Sequence, residues 1–240
     1  DSHLREWLHS TRHRMPARTV LVGVEQCDNQ KFNRGALLNA GFERAWQLGA
    51  RRVIFHDVDL VPTDNLLRMY FDRWPSPVVH FGARFSRYNN SEHYFGGVVG
   101  YDVDYFPGFS NKFYGWGGED DSLYRRTPKD LISRPHVGDY RDLERMATVK
   151  HKLNSLRVRE KCTNKRELLR SDDKSRDNHH SLRCVKRYTR KHGMEWMQVK
   201  LPKSGKCQTA AQDERQTVPR QLYVVARRGP SAQLPKQSLE

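Results

Sequence analysis

Residues 52–59 read Arg-Val-Ile-Phe-His-Asp-Val-Asp, an apolar run that leads directly into two acidic residues. The apolar residues are β-branched or aromatic, which favours a buried strand. In sheets built from alternating strands and helices, ligands bind where strands end. Asp57 and Asp59 are therefore candidates for a binding site because of their position directly after this strand.

The segments around this strand predict an α/β layer. Residues 19–24 are apolar and β-branched, as in a buried strand, and residues 33–48 carry apolar side chains near the helical period of 3.6. Residues 78–81 and 95–101 have the composition of further strands. Because strands and helices alternate, we expect an α/β fold with a partly parallel sheet.

The positive charge of the chain is concentrated in its last third. The net charge is +15, but residues 1–150 contain 21 Lys/Arg and 19 Asp/Glu, against 22 and 9 in the remainder. We expect one domain over residues 1–201, closed by a strand pair within 181–201. Residues 202–240 are rich in Lys, Gln, Arg, Ser and Pro and predict a basic, disordered tail with one possible short strand at 222–226.

Two classes of structure are disfavoured by simple counts. No run of eighteen apolar residues is present, so no membrane-spanning segment is predicted within these residues. The cysteines show no C-x-x-C spacing, which argues against a zinc ribbon and is compatible with a disulfide or with free thiols. They are Cys27, Cys162, Cys184 and Cys207.

The pair Asp57 and Asp59 suits a divalent metal and a nucleotide sugar. Alternate residues of an extended segment diverge, so one carboxylate can bind the metal while the other contacts a sugar or ribose. The same D-x-D spacing recurs at Asp102 and Asp104, where the surrounding tyrosines indicate a turn instead. The preceding apolar strand makes the first pair the stronger candidate.

A second acidic cluster follows a glycine-rich aromatic loop, Phe113-Tyr-Gly-Trp-Gly-Gly-Glu-Asp-Asp121. Glycines allow such a loop to move, and the indole of Trp116 can close over a ligand. The acids behind it can bind sugar hydroxyls, and one can act as a general base. Alternatively, they mark the N-terminus of a helix, where acidic side chains stabilise the free amides.

Two shorter motifs complete the pattern. In Phe32-Asn-Arg-Gly35, Arg34 is suited to bind a phosphate or nucleobase and Phe32 to stack on a ring, unless the segment is an ordinary helix start capped by Asn33. Tyr94-Phe-Gly-Gly97 allows a ligand to approach the backbone closely, or marks a bulge in a strand.

In their order and spacing, these motifs resemble the β-1,4-galactosyltransferase family, from about residue 3 to residue 151. The matching segments are Phe32-Asn-Arg-Gly-Ala-Leu-Leu-Asn39, Phe55-His-Asp-Val-Asp-Leu-Val-Pro62, Tyr94-Phe-Gly-Gly97 and Gly115-Trp-Gly-Gly-Glu-Asp-Asp121. The sequences of these motifs are most similar to the xylosylprotein branch of the family, which adds galactose to xylose. The resemblance implies a GT-A fold, with a mixed, mostly parallel sheet flanked by helices, and a type II membrane protein with its catalytic domain in the Golgi lumen.

The resemblance also implies how the donor, UDP-galactose, is bound. Phe32 and Arg34 would hold the uridine diphosphate, and Asp57 would contact the nucleotide sugar. Tyr94 and Gly97 would shape the donor-sugar pocket, where a tyrosine accompanies galactose. The family's first strand, with part of the uridine site, would lie just before residue 1.

For catalysis, the resemblance implies a single displacement with inversion. Asp120 would be the general base, Glu119 and Asp121 would orient the acceptor, and Trp116 would form the lid. The acceptor would be a xyloside or, in the related branches, an N-acetylglucosaminide.

Manganese is the cofactor that the resemblance implies, with Asp59 and His151 as ligands. The family's second ligand near the histidine has no clear counterpart, since Met146 and Leu153 stand near the expected places. Lower-ranked alternatives are His136, His179 and His180.

Three other functions remain possible. The chain could be a relative that transfers N-acetylgalactosamine, a family member without activity, or a non-enzymatic binder of polyanions. Nucleic acid is not expected as a partner, because the basic region has few aromatic residues to stack on bases.

Overall fold

The computed structural model describes residues 2–84, 94–115, 117–136, 139–144, 185–191, 193–201 and 221–228. Within them the α-helices are α1 (Ser2–Thr11), α2 (Arg34–Gln47), α3 (Asp64–Phe71) and α4 (Glu119–Arg126). The strands are β1 (Thr19–Gln26), β2 (Ala50–His56), β3 (Leu60–Pro62), β4 (Val78–His80), β5 (Val98–Asp102), β6 (Ile132–Ser133), β7 (Tyr140–Asp142), β8 (Val185–Lys191), β9 (Met194–Val199) and β10 (Gln221–Arg228). None of the helices in this part of the chain has the length and apolar character needed to cross a membrane.

Eight strands form one sheet in the order β6-β4-β5-β2-β10-β1-β9-β8, and β3 pairs with β7 in a second, two-stranded sheet. The prediction of a mixed α/β sheet is confirmed. The prediction that the sheet is mostly parallel is wrong, since among the neighbours in the large sheet only β1–β9 and β4–β6 run parallel. The sequence pattern identifies buried strands but does not determine which strands become neighbours.

β10 lies at the centre of the large sheet, antiparallel to both β1 and β2. Val224 is opposite Val22 on one side and Phe55 on the other. The possible strand at 222–226 is thus present, and residues 221–228 belong to the sheet of the main domain. Placing them in a tail that begins at residue 202 was wrong, because pairing on both edges makes this strand integral to the sheet. Residues 202–220 and 229–240 lie outside the described residues, and the disorder expected there stays a prediction.

The other predicted elements agree closely with the structure. The strand at 19–24, the helix at 33–48 and the strand at 52–56 correspond to β1, α2 and β2, and the strand pair within 181–201 corresponds to β8 and β9. β5 begins at Val98, later than predicted, because Gly97 adopts a φ of 73°, a left-handed conformation that ends the extended segment.

Two apolar layers cover the two faces of the large sheet. The layer beneath α2 contains fully buried residues of that helix and of the strands, including Leu37, Leu38, Val22, Val53 and Phe55. The layer beneath α1 and α3 includes Trp7, Ile54, Leu66, Tyr70 and Val98. Burial of apolar surface on both faces stabilises the sheet and fixes the ends of its strands.

The topology brings several strand ends to one edge. β1 and β2 run in the same direction, because β10 is antiparallel to both, so their carboxyl ends meet at that edge. β5 runs antiparallel to β2, with Val98 opposite His56, so the residues just before β5 lie at the same edge. This edge carries the candidate site.

Candidate active site

Arg34 is the centre of a cluster of charged side chains at this edge. Its Nη2 lies 2.8 Å from Asp57 Oδ1, and its Nη1 lies 2.6 Å from Asp120 Oδ1 and 3.6 Å from Glu119 Oε1. The side chain of Arg34 is only 13% exposed. One guanidinium therefore links the loop after β2 to the start of α4.

The start of α2 positions Arg34. Asn33 is fully buried and caps this helix, since its Oδ1 accepts a hydrogen bond from the backbone N–H of Ala36. Its Nδ2 donates to the carbonyl of Asn111, and its backbone N–H donates to Oε1 of Gln26 at the end of β1. These bonds fix the first turn of α2, and hence the guanidinium, relative to the strand end.

Asp57 is held by the loop that precedes β5. Its backbone N–H donates to the carbonyl of Gly97 at 2.9 Å. The preceding residue, His56, is buried, and its Nε2 lies 3.0 Å from the hydroxyl of Tyr70, which is 2.8 Å from the hydroxyl of Tyr140. One backbone hydrogen bond thus joins the loop after β2 to the loop before β5.

The glycine-rich loop before α4 orients its acidic residues. Gly118 precedes the helix with a φ of 96°, and a Cβ there would lie 2.6 Å from the ring of Phe113. The backbone N–H of Gly115 donates to the carbonyl of Phe32 at 2.7 Å, which ties this loop to the segment before α2. Glu119 and Asp120 form the first turn of α4, so the helix N-terminus and the charged cluster coincide.

Burial alters the ionisation of this cluster. It raises the pKa of Asp120 to about 8, with Arg34 opposing and Glu119 and Asp57 adding to the rise. Burial likewise raises the pKa of Glu119, again opposed by Arg34. The pKa of Arg34 is raised because its three acidic neighbours outweigh the effect of burial, so the guanidinium stays charged.

The loop before β5 packs directly against Asp120. A Cβ on Gly96 would overlap Oδ2 of Asp120 and lie 2.9 Å from the hydroxyl of Tyr94. A Cβ on Gly97 would lie 3.0 Å from the same hydroxyl. Tyr94, Gly96 and Gly97 therefore form one wall of the cluster.

The structure brings together most of the residues that the sequence singled out. Seven lie around this edge of the sheet: Phe32, Arg34, Asp57, Tyr94, Gly97, Glu119 and Asp120. Asp121 is exposed on α4, and Asp59 is partly buried, with its carbonyl accepting a hydrogen bond from Leu143. Trp116 and His151 lie outside the described residues.

The second D-x-D pair has a structural partner. Nε of Arg52 lies 2.9 Å from Oδ1 of Asp102, at the end of β2 away from Asp57. Asp104 is exposed. Asp102 is thus paired at one end of β2, whereas Asp57 contacts Arg34 at the other, and the choice of Asp57 and Asp59 as site residues stays a prediction.

The described residues contain no group of three His, Cys, Asp or Glu side chains that could hold a metal ion. Asp57 and Asp59 nevertheless supply carboxylate oxygens of the kind that divalent cations such as manganese accept. Because His151 is not among the described residues, the predicted pair of Asp59 and His151 stays a prediction.

Two features of the site were not predicted from the sequence. One is the ion pair between Arg34 and Asp120, which are 86 residues apart. The other is His80, which is buried behind Gly96. It belongs to none of the motifs that the sequence analysis identified. The only signal for His80 was a polar residue at the end of the apolar strand β4.

Chemically, the cluster can bind an anion and accept a proton. A buried guanidinium is a strong donor to phosphate oxygens, and a carboxylate with a pKa near neutrality can serve as a general base.

Two protein-family models match successive parts of the chain. A family model described as the N-terminal region of glycosyl transferase group 7 matches residues 1–71. A second model, described as the N-terminal domain of galactosyltransferase, matches residues 76–152.

Similar curated proteins carry related names. The chain is 41% identical over 122 residues to beta-1,4-galactosyltransferase 5 of Danio rerio, a match covering 47% of this chain and 31% of that protein. It is 37% identical over 156 residues to beta-1,4-galactosyltransferase 2 of Mus musculus, covering 59% and 42% respectively. The matched stretches thus span less than half the length of these relatives.

Among solved structures, the catalytic domain of Drosophila beta1,4galactosyltransferase 7, in complex with xylobiose, has a TM-score of 0.59 to this chain at 24% identity. The match covers 85% of this chain and 87% of that one. The shared fold is that of a GT-A-type galactosyltransferase catalytic domain.

Proposed function

The chain belongs to the glycosyl transferase group 7 family of β-1,4-galactosyltransferases, and from this premise we propose that it transfers galactose from UDP-galactose to a sugar hydroxyl. The cluster of Arg34, Asp57 and Asp120 is the observation that carries the proposal. It places a cation for the diphosphate next to a carboxylate that can accept a proton.

Asp120 is the proposed general base. It takes the proton from the acceptor hydroxyl as that oxygen attacks the anomeric carbon, and the bond to the UDP oxygen breaks with inversion. Its raised pKa suits the role, since a base with a pKa near the working pH accepts a proton efficiently. Glu119 and Asp121, on the same helix, would orient the acceptor.

Arg34 is the proposed diphosphate ligand, with Phe32 beside it. In the cluster its guanidinium is shared between Asp57 and Asp120. A bound diphosphate would compete for these donors, which would free the carboxylate of Asp120 for catalysis.

Tyr94, Gly97 and Trp116 complete the donor pocket in this proposal. Tyr94 and Gly97 lie beside the base, where the galactose would bind, and Trp116 would close the glycine-rich loop over it. Such closure excludes water and favours transfer over hydrolysis.

Manganese would be held by Asp59 and His151, with Asp57 toward the nucleotide sugar. When bound, the metal would act as a Lewis acid that offsets negative charge on the diphosphate.

Xylose, attacked through its 4-hydroxyl, is the proposed acceptor. The amino-acid sequence of residues 32–39 and of the acidic loop supports membership of the xylosylprotein branch. The Drosophila enzyme of the same fold was solved with xylobiose, although its 24% identity supports the fold rather than the ligand. The family resemblance keeps an N-acetylglucosaminide, the acceptor of the related branches, as the second candidate.

A Golgi membrane protein with a lumenal catalytic domain is the proposed setting, by analogy with this family. The basic region after residue 151 has no role in this proposal.

The test is galactose transfer from UDP-galactose to a xyloside and to an N-acetylglucosaminide, with and without manganese. We expect manganese-dependent product on the xyloside. As a control, Asp104→Asn changes an exposed carboxylate of the other D-x-D pair and should leave the rate unchanged. Product on the N-acetylglucosaminide alone would reassign the acceptor, and product on neither would contradict the proposal.

A further inference from the structure

His80 is a buried histidine that lies behind the candidate active site. It ends β4 and is fully buried, and its Nε2 lies 3.1 Å from the carbonyl oxygen of Gly96. Within the described part of the chain, its Nδ1 is buried without a hydrogen-bond partner. The ring packs against Phe95 with centroids 5.1 Å apart and against Tyr94 at 5.8 Å.

The contact with Gly96 connects His80 to the proposed base. Gly96 separates the imidazole from Asp120, because a side chain on Gly96 would overlap the carboxylate. Gly82 also approaches this carbonyl closely, since a Cβ there would lie 2.9 Å from the oxygen of Gly96 and 3.3 Å from Nε2 of His80. The peptide of Gly96 therefore lies between the imidazole of His80 and the carboxylate of Asp120.

The hydrogen bonds to the Gly96 carbonyl fix its direction. The oxygen accepts from Nε2 of His80 and, at 2.9 Å, from the backbone N–H of Val98, which occupies both of its lone pairs. Because a carbonyl only accepts, the proton of the neutral imidazole must be on Nε2. Burial keeps the imidazole neutral, since it lowers the pKa of His80 to about 3.

We propose that His80 is a positioning residue for the transfer reaction, which holds the Gly96 peptide so that Asp120 is aligned with the acceptor hydroxyl. The inference rests on the proposed function of Asp120 as base. His80 itself touches neither donor nor acceptor.

The physical reason for an effect on rate is the sensitivity of proton transfer to geometry. A displacement of about 1 Å at a reacting group can lower the rate on the order of 100-fold. Loss of the Nε2 donor leaves the Gly96 carbonyl with one donor fewer in a buried setting, so the loop can shift relative to Asp120. Binding of UDP depends on Arg34 and should change little.

The experiment compares His80→Gln with His80→Asn in the full chain. The amide nitrogen of glutamine reaches the position of the imidazole Nε2, whereas that of asparagine reaches only the position of Nδ1. Both variants bury an amide, so they are matched in polarity. We expect the asparagine variant to lose on the order of 10- to 100-fold in kcat while KM for UDP-galactose changes by less than about 3-fold. The glutamine variant should retain most of the wild-type kcat.

Tyr101→Phe is the matched control for stability. It removes a buried hydrogen bond of 2.7 Å to Thr127, which follows the last turn of α4. Its Tm should fall while its kcat stays near that of the wild type. His80→Leu serves as a third variant and should behave as the asparagine variant does.

The outcomes separate this inference from the proposed function. No transfer by the wild-type chain, despite UDP binding, would remove the proposed function itself. An active wild type with equal kcat in the glutamine and asparagine variants would overturn the role of His80. The role of His80 would also be overturned if kcat fell in proportion to Tm across all variants, including Tyr101→Phe.

Discussion

At the scale of single residues, Arg34 is the side chain whose environment was hardest to predict. The sequence predicted a phosphate or nucleobase ligand next to a helix cap; the structure confirms the cap at Asn33, and the ligand role stays a proposal. The sequence did not indicate that Asp120 and Asp57 would both contact it, because neighbours 86 and 23 residues apart are determined by the sheet. Local patterns predict a residue's chemistry more readily than its partners.

The pairing of Arg34 with Asp120 leads to a prediction about pH. A general base must be ionised, so kcat/KM should rise with pH and level off above about 8, the raised pKa of Asp120. Arg34 lowers this pKa, so Arg34→Gln should move the rise to higher pH. The measurement is the pH profile of kcat/KM for both proteins.

Two results would argue against this account of the ionisation. A shift to lower pH in Arg34→Gln would mean that the guanidinium does not stabilise the ionised carboxylate. An unchanged profile would assign the rise to another group. Arg52→Gln, which breaks the ion pair with Asp102 away from the site, is the control and should leave the profile unchanged.

At the scale of secondary-structure elements, the sequence predicted which segments are buried better than how they pair. The apolar run before Asp57 and the helical period of residues 33–48 were sufficient to locate β2 and α2. Nothing in residues 221–228 indicated a place between β1 and β2. A hydrophobic run predicts a strand, but its partners depend on which edges the remaining fold leaves open.

β10 therefore gives an element-scale prediction. Val224→Pro should destabilise the whole domain by about 1–3 kcal/mol, because proline removes a backbone N–H from the interior of the sheet and leaves its acceptor unsatisfied. The free energy of unfolding, from urea denaturation, measures this. Ala232→Pro, beyond β10 in the sequence, is the control and should unfold at the same urea concentration as the wild type.

A Val224→Pro variant as stable as the wild type would contradict the central position of β10. That result would favour the original prediction that residues 202–240 form a separate tail.

At the scale of the whole molecule, the site exists only because three distant segments meet at one edge of the sheet. Arg34 comes from the start of α2, Asp57 from the end of β2, and Asp120 from α4. The near-neutral charge of the first 150 residues is consistent with a domain built around such paired charges. The excess positive charge lies in the later part of the chain, whose described residues contribute no side chain to the cluster.

Asp120 is the proposed base of galactose transfer at this cluster. The most direct test measures transfer to the xyloside and UDP binding by calorimetry in the same preparations of wild type and Asp120→Asn. We predict that the variant loses at least about 100-fold in kcat, as expected for loss of a general base, and binds UDP within a few-fold of wild type. A variant that retains the wild-type rate would contradict the claim, and one that loses UDP binding equally would show that Asp120 acts through structure instead.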